Sequence, residues 1–238
     1  MKQLMLGNAA VARGAFEAGV RVVASYPGTP STEITENIVS YPEIDVEWAP
    51  NEKVAAEVVV GAALANARAM SCMKHVGLNV MADPVFTASY LAPPGGLVFC
   101  VADDPAMHSS QNEQDSRHYA IAAKVPMLEP SDSREAYAFA RSAFELSERF
   151  DTPVLLRMCT RIAHSQCIVE MGEREETPLK PYEKQPSKYI MMPGYAKARH
   201  PLVEKRTEAL AAFAEDCMYN RAEPGQEKEI GIITSGCS

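Results

Sequence analysis

The sequence predicts a three-layer α/β/α domain on a mostly parallel, six-stranded sheet. Three observations predict it. Short runs rich in Val, Ile and Cys alternate with longer Ala-rich or amphipathic segments, the spacing of βα units. Cys72, Cys100 and Cys159 sit inside apolar strand-like runs, where free thiols pack as small hydrophobes. Asn51 and Asp132 stand where helix patterns begin and are good N-cap residues.

The elements follow in order. Asn8–Ala18 reads as a helix closed by Gly19, and Val20–Ser25 as a strand. Thr29 caps a second helix with Pro30 at its first position. Ile44–Trp48 is a short strand, and a helix runs from Glu52 to about Arg68. Ala69–His75 is a strand, Val80–Leu91 a helix in spite of Pro84, and Leu97–Ala102 a strand that ends in Asp103-Asp104. A polar loop follows, then a strand at Pro126–Leu128. Ser131 or Asp132 caps an amphipathic helix that runs to Phe150, and Pro153–Met158 is the sixth strand. Residues 1–169 thus form one α/β domain. Residues 170–228 read as a wrapping linker with a helix at Pro201–Tyr219, and residues 229–238 as a fresh strand and Gly turn that open a further domain.

Composition excludes several classes. The net charge is −8 without a Lys/Arg cluster, which argues against nucleic acid or an anionic membrane as partner. The longest apolar stretch, around Val58–Leu64, is too short to span a bilayer. Met1-Lys-Gln opens without the apolar core of a signal peptide. The cysteines (Cys72, Cys100, Cys159, Cys167, Cys217, Cys237) never stand in C-x-x-C spacing, so no zinc or iron–sulfur signature is present in this chain, and a reducing cytoplasm is the expected compartment.

One stretch stands out. In Trp48-Ala-Pro-Asn-Glu-Lys-Val-Ala-Ala-Glu-Val-Val-Val-Gly-Ala-Ala63 the small and apolar residues run all round the helix, yet Glu52 sits in its first turn. The ordinary reading is a carboxylate favoured by the helix dipole. The sharper reading is a desolvated carboxylate that handles a proton.

In doubly wound sheets, ligands sit beyond the carboxyl ends of the strands. Four successive loops there are polar and shaped by Gly or Pro: 26–32, 51–52, 74–79 and 103–118. Taken singly, Thr29 reads as a cap, Lys74-His75 as a solvated strand end, and Arg117 as a partner of Asp115 or Glu113. Asp103, Asp104 and His108 invite a metal-dependent hydrolase reading, but no ligand spacing supports one and no metal ligand is assigned.

The motifs YPGTPST (Tyr26–Thr32), NEK (Asn51–Lys53), KHVGLN (Lys74–Asn79), ADP (Ala82–Pro84), DDPAMHSSQNEQDSR (Asp103–Arg117) and KVPMLEPSDSREA (Lys124–Ala136) resemble the amino-terminal domain of the alpha subunit of indolepyruvate:ferredoxin oxidoreductases. The resemblance covers essentially the whole chain. YPGTPS and NEK are shared with pyruvate-type 2-oxoacid:ferredoxin oxidoreductases, whereas the Ser/Gln/acidic loop is more specific.

The resemblance implies a thiamine-diphosphate-binding fold of the pyrimidine-binding type. It implies an enzyme that oxidatively decarboxylates an arylpyruvate with coenzyme A and passes electrons to ferredoxin. Mg²⁺ and 4Fe–4S clusters would belong to domains outside this chain, and a beta subunit would be a partner. By the NEK match, Glu52 is the catalytic carboxylate that bonds N1′ of the aminopyrimidine. Pro27, Gly28 and Asn79 join it around the cofactor, and Thr29, Arg117, Lys74 and His75 line the substrate. This chain by itself is expected to be inactive and to form a homodimer. The competing reading is a non-catalytic assembly domain of the same fold, in which Gly61, Ala62 and Ala65 let another helix approach.

Overall fold

The computed structural model describes residues 1–179, 181–225 and 229–237. Its centre is a six-stranded parallel sheet: β2 (Val22–Ser25), β3 (Asp45–Trp48), β4 (Ala69–Lys74), β5 (Leu97–Asp103), β6 (Met127–Leu128) and β7 (Val154–Cys159). The strands lie in the order β3-β2-β4-β5-β7-β6, and every pairing is parallel. Every residue of β4, β5 and β7 is buried, so these central strands are apolar on both faces rather than alternating.

Alternate residues feed two cores. Val98, Cys100 and Ala102 of β5 face α1 (Gly7–Glu17), α2 (Thr32–Ile38) and α7 (Ser133–Phe150). Leu97, Phe99 and Val101 face α3 (Glu52–Leu64), α5 (Ala82–Leu91) and α6 (Arg117–Ala123). α1 and α7 cross closely because Gly14 carries no Cβ where the Tyr137 carbonyl passes.

Several boundaries moved, each for a physical reason. Thr29 does not cap a helix: α2 starts at Thr32 behind Ser31, since the Gly28 N–H donates to Thr32 Oγ1 at 2.8 Å and Ser31 Oγ donates to the Gly28 carbonyl at 2.7 Å, which closes a separate turn. The Thr29–Pro30 peptide is cis. α3 stops at Leu64, and Asn66 turns the chain at φ 68°. His75 ends no strand but opens a helix, α4 (His75–Val80), and Pro84 is accommodated in the first turn of α5.

Two strands and two further helices were not anticipated. β1 (Lys2–Leu6) pairs antiparallel with β8 (Gln166–Glu170) as a separate ribbon. α6 begins at Arg117, inside what reads as a polar loop, and a further one-turn helix, α8 (Thr160–His164), leads from β7 to β8.

The segment after β8 runs back along the end of α1. The Arg174 guanidinium donates to the carbonyls of Phe16 (2.6 Å) and Val20 (2.9 Å), and the Gly172 N–H donates to Glu17 at 3.0 Å. After the short α9 (Pro186–Tyr189), the last helix α10 (Pro193–Asp216) starts earlier than expected and carries Pro201 inside it, one turn after the exposed Lys197, whose carbonyl loses its helical partner. Arg206 of α10 donates to the carbonyls of Ser89 and Asp151, both at 2.9 Å. The fresh strand expected at 229–238 is not formed over residues 229–237, where Ile230, Ile232 and Ile233 are exposed. Ser238 lies outside the described residues.

Candidate functional site

The site lies where the strand order reverses. β3 sits beyond β2 on one side and β4 on the other, so a crevice opens past the carboxyl ends of β2 and β4. The β2–β4 register reaches only Val22↔Ala69 and Val23↔Met70. Beyond it the Cys72 N–H donates to Ser25 Oγ at 3.2 Å, and Thr35 Oγ1 donates to the same hydroxyl at 2.8 Å. A buried serine thus holds the strands as they part.

Glu52 enters from α3. Asn51 caps that helix, its side chain accepting from the Val54 N–H at 2.9 Å, which fixes the first turn and the direction of Glu52. Glu52 is 9% exposed. Its carboxylate rests on Gly77 of α4, where an added Cβ would come within 2.5 Å of Oε1. Among the described residues no hydrogen bond or ion pair engages this carboxylate. Its oxygens are not among the fully buried unpaired polar atoms, so the carboxylate keeps an open side and is free to take a partner.

The end of β4 supplies the neighbouring groups. Lys74 is 8% exposed, and Gly28 packs on it, a Cβ at 28 lying 3.1 Å from Lys74 Cβ. Lys74 Nζ donates to the Ser109 carbonyl at 2.5 Å. His75 is fully buried and meets the Asn112 carbonyl through Nε2 at 3.1 Å. A carbonyl only accepts, so Nε2 donates, and among the described residues Nδ1 has no partner. Both residues therefore hold the 104–116 loop while keeping unused polar capacity.

That loop is anchored at both ends. Burial would raise the Asp104 carboxyl, but hydrogen bonds from Ser110, Thr160 and the Ser109 N–H, with the Lys74 ammonium near, bring it down to about 2. Asp103, fully buried, accepts from Ser116 Oγ (2.5 Å), Ser116 N–H (3.1 Å) and Arg157 Nε (2.7 Å). Both carboxylates thereby accept from protein donors, and His108 is exposed.

The remaining residues fall in two places. Asn79 is exposed, and its Oδ1 accepts from Tyr119 at 2.5 Å. Thr29 and Pro27 are exposed on the loop after β2. Arg117 is spent on a bidentate pair with Glu129 (3.0 and 2.5 Å) and on Asp115 (3.2 Å); Arg157 shares the same Glu129. The structure thus joins Gly77 to Glu52 and Gly28 to Lys74, while Arg117 belongs to an ion-pair network with Glu129, Arg157 and Asp103.

Sequence reasoning gave no role to Gly77 or Arg157. Gly77 had no signal beyond its place in KHVGLN. Arg157 had one: a single guanidinium in the buried run Val154–Cys159 needs a buried acid.

Comparisons with known proteins place this geometry in a family. Residues 13–223 match the model described as pyruvate flavodoxin/ferredoxin oxidoreductase, thiamine-diphosphate-binding. Indolepyruvate oxidoreductase subunit IorA of Archaeoglobus fulgidus is 43% identical across 100% of this chain and 39% of its own length. The IorA subunit of Thermococcus kodakarensis is 43% identical across 99% of this chain and 38% of its own. The chain therefore spans about two fifths of the length of these curated relatives.

A 2-oxoglutarate:ferredoxin oxidoreductase from Magnetococcus marinus, solved with 2-oxoglutarate, coenzyme A and succinyl-CoA bound, superposes with a TM-score of 0.69 at 17% identity, over 89% of this chain and 45% of that one. It shares the fold. Among the described residues no helix is long and apolar enough to cross a membrane. With most of its length matched, this chain belongs to the thiamine-diphosphate-binding pyruvate flavodoxin/ferredoxin oxidoreductase family.

Proposed function

We propose that the chain supplies the aminopyrimidine-side half-site of a thiamine-diphosphate-dependent 2-oxoacid:ferredoxin oxidoreductase, with an arylpyruvate such as indolepyruvate as substrate. The observation that carries this reading is Glu52: a residue buried at a helix start, directed by a helix cap, its carboxylate seated on a bare glycine and without a partner among the described residues. A nitrogen heterocycle fits such a place, because it brings a ring nitrogen to the carboxylate and a flat face to Gly77. The unpartnered Nδ1 of His75 offers a second acceptor for an N–H donor.

When bound, thiamine diphosphate supplies the carbanion chemistry; the protein supplies proton handling and orientation. Glu52 holds a proton at its carboxylate and exchanges it with the ring nitrogen. Pro27, Gly28 and Asn79 border the ring side of the crevice. Lys74, 8% exposed and with a single acceptor, has N–H groups left for the carboxylate of a 2-oxo acid. Thr29, His75 and Arg117 complete that wall, Arg117 on release from Glu129. The names of the relatives support indolepyruvate.

The whole activity belongs to a longer assembly. The other parts of that assembly, with a beta subunit, bring Mg²⁺, the 4Fe–4S clusters, coenzyme A and the contact with ferredoxin, in a cytoplasmic enzyme. Residues 1–169 act as the catalytic α/β unit, 170–228 as its strap, and 229–238 as the lead into the next domain. The test is to purify the full-length protein with its partner subunit and assay indolepyruvate, phenylpyruvate, pyruvate and 2-oxoglutarate with and without coenzyme A. Preference for the aryl acids with an absolute need for coenzyme A is expected. Preference for pyruvate would move the assignment to the pyruvate-type enzymes. No turnover of any 2-oxo acid would leave the assembly-domain reading.

A further inference from the structure

Two thiols meet at the carboxyl end of β7. Cys159 is the last residue of that strand and is 5% exposed; Cys237 is half-buried beside it, 78 residues further along the chain. Their Sγ atoms are 3.1 Å apart, only about 1 Å beyond a disulfide bond. The segment that carries Cys237 is held in place by other contacts. Ser235 Oγ accepts from Arg117 Nη2 at 3.3 Å and donates to Glu129 Oε2 at 3.1 Å. Gly236 lies on the same Glu129, where a Cβ would meet Oε1 at 2.6 Å. Upstream, Ile230, Ile232 and Ile233 are exposed. The segment is therefore anchored through Ser235, Gly236 and Cys237, next to the carboxyl edge of the sheet.

We propose that Cys159 and Cys237 are a modification site: a thiol pair that a peroxide converts to a disulfide, which staples the 229–237 segment across the Asp103–Arg157–Glu129–Arg117 network. This proposal does not depend on the thiamine reading.

The chemistry is divided by exposure. Both cysteines line a cleft of about 510 Å³ with Arg117, Arg157, Glu113, Asp115 and Glu129. Burial, and the hydrogen bond to Cys237, push the Cys159 thiol up to about 11. The thiolate is the attacking species, so the more exposed Cys237 meets the peroxide and reacts first. Its sulfur attacks one peroxide oxygen, the O–O bond breaks, and water leaves, giving a sulfenic acid. Cys159 then attacks that sulfur. The S–S bond forms, the S–O bond breaks, and hydroxide takes the Cys159 proton to leave as a second water. Two electrons pass from the two thiols to hydrogen peroxide.

A second close pair provides an internal control. Cys72 and Cys100 face each other in register on β4 and β5, but both are sealed in the core. Proximity alone would oxidise them as well; access to the oxidant selects Cys159–Cys237.

The experiment treats the purified, fully reduced full-length protein with graded hydrogen peroxide, quenches it, and maps tryptic peptides without reduction. A peptide Met158–Arg161 joined to the one that carries Cys237 is expected in wild type, reversed by dithiothreitol and lost in Cys159→Ser and in Cys237→Ser. Hydrogen exchange over 229–237 is expected to slow in the oxidised form. Failure to find that linkage at a peroxide dose that overoxidises the half-buried Cys217 would overturn the proposal. So would a Cys72–Cys100 linkage in its place, or Cys237 joined to a second copy of the chain.

Discussion

The Glu52 carboxylate lies on the backbone of Gly77: a Cβ at residue 77 would stand 2.5 Å from Oε1, 2.7 Å from Cγ and 2.9 Å from Cδ. Helix α3 delivers the carboxylate, and helix α4 supplies the one residue type that leaves room for it. Gly77→Ala should therefore separate stability from activity. Ala is the better helix former by up to about 1 kcal/mol, so the variant should fold at least as well. The displaced carboxylate should lower turnover on the order of 10²-fold. Circular dichroism melts beside the oxidoreductase assay check this. Full activity in the variant would mean that the Glu52–Gly77 contact has no bearing on catalysis.

Asp104 ties the long loop to Lys74 and Thr160, and its carboxyl is held down to about 2. A depressed carboxyl adds stability that is fully present above its ordinary value and is lost as pH falls through its folded value. The window is from about pH 4 down to about pH 2, and the shift corresponds to about 2 kcal/mol. Urea denaturation of wild type and Asp104→Asn should show a stability gap at pH 6 that narrows by about that amount toward pH 2. A gap that does not change with pH would contradict the account of the loop anchor.

Arg157 and Arg117 share Glu129 but differ in burial. Arg157, 9% exposed, also neutralises the fully buried Asp103, whereas Arg117 is 37% exposed. Arg157→Met strands a buried charge and should cost about 3–5 kcal/mol. Arg117→Ala leaves Glu129 paired with Arg157 and should cost about 1 kcal/mol or less. Chemical denaturation of the two variants ranks them. An equal or reversed order would show that the network is organised around Arg117.

The outer side of α3 is open: nothing lies within 4 Å of a Cβ at Gly61, and Val54 and Val58 are half-buried. A symmetric dimer across this helix would cover them. Light scattering over a concentration series should show the dimer in wild type and a monomer in Gly61→Arg. A monomer in both would remove α3 from the interface.

The parallel sheet was legible because its signals are local. Buried strands read as apolar runs, and Asn51 and Asp132 are real caps that accept from the N–H groups of Val54 and Glu135. The β1–β8 ribbon was not legible, since its partners stand at opposite ends of the domain and neither strand is strongly apolar. Helix α6 was missed because Ser116, its capping position, spends its hydroxyl on Asp103 rather than on the helix. In the site, Glu52 could be read from a charge out of place in an apolar helix. The loop contacts of Lys74 and His75 could not, because both end on backbone carbonyls of Ser109 and Asn112, which leave no mark on residue type. Arg117 read, taken singly, as a partner of Asp115 or Glu113; the Asp115 pair is present, but its bidentate partner Glu129 comes from a different segment and was not legible.

The central claim is that Glu52 handles the proton of the aminopyrimidine. The most direct measurement is deuterium exchange at C2 of thiamine diphosphate bound to the full-length enzyme, in wild type and in Glu52→Gln. Gln keeps the shape and cannot ionise, so exchange and turnover should fall together by about 10²–10⁴-fold while the melting curve stays unchanged. An exchange rate equal to that of wild type in a folded, cofactor-loaded Glu52→Gln enzyme would contradict the account.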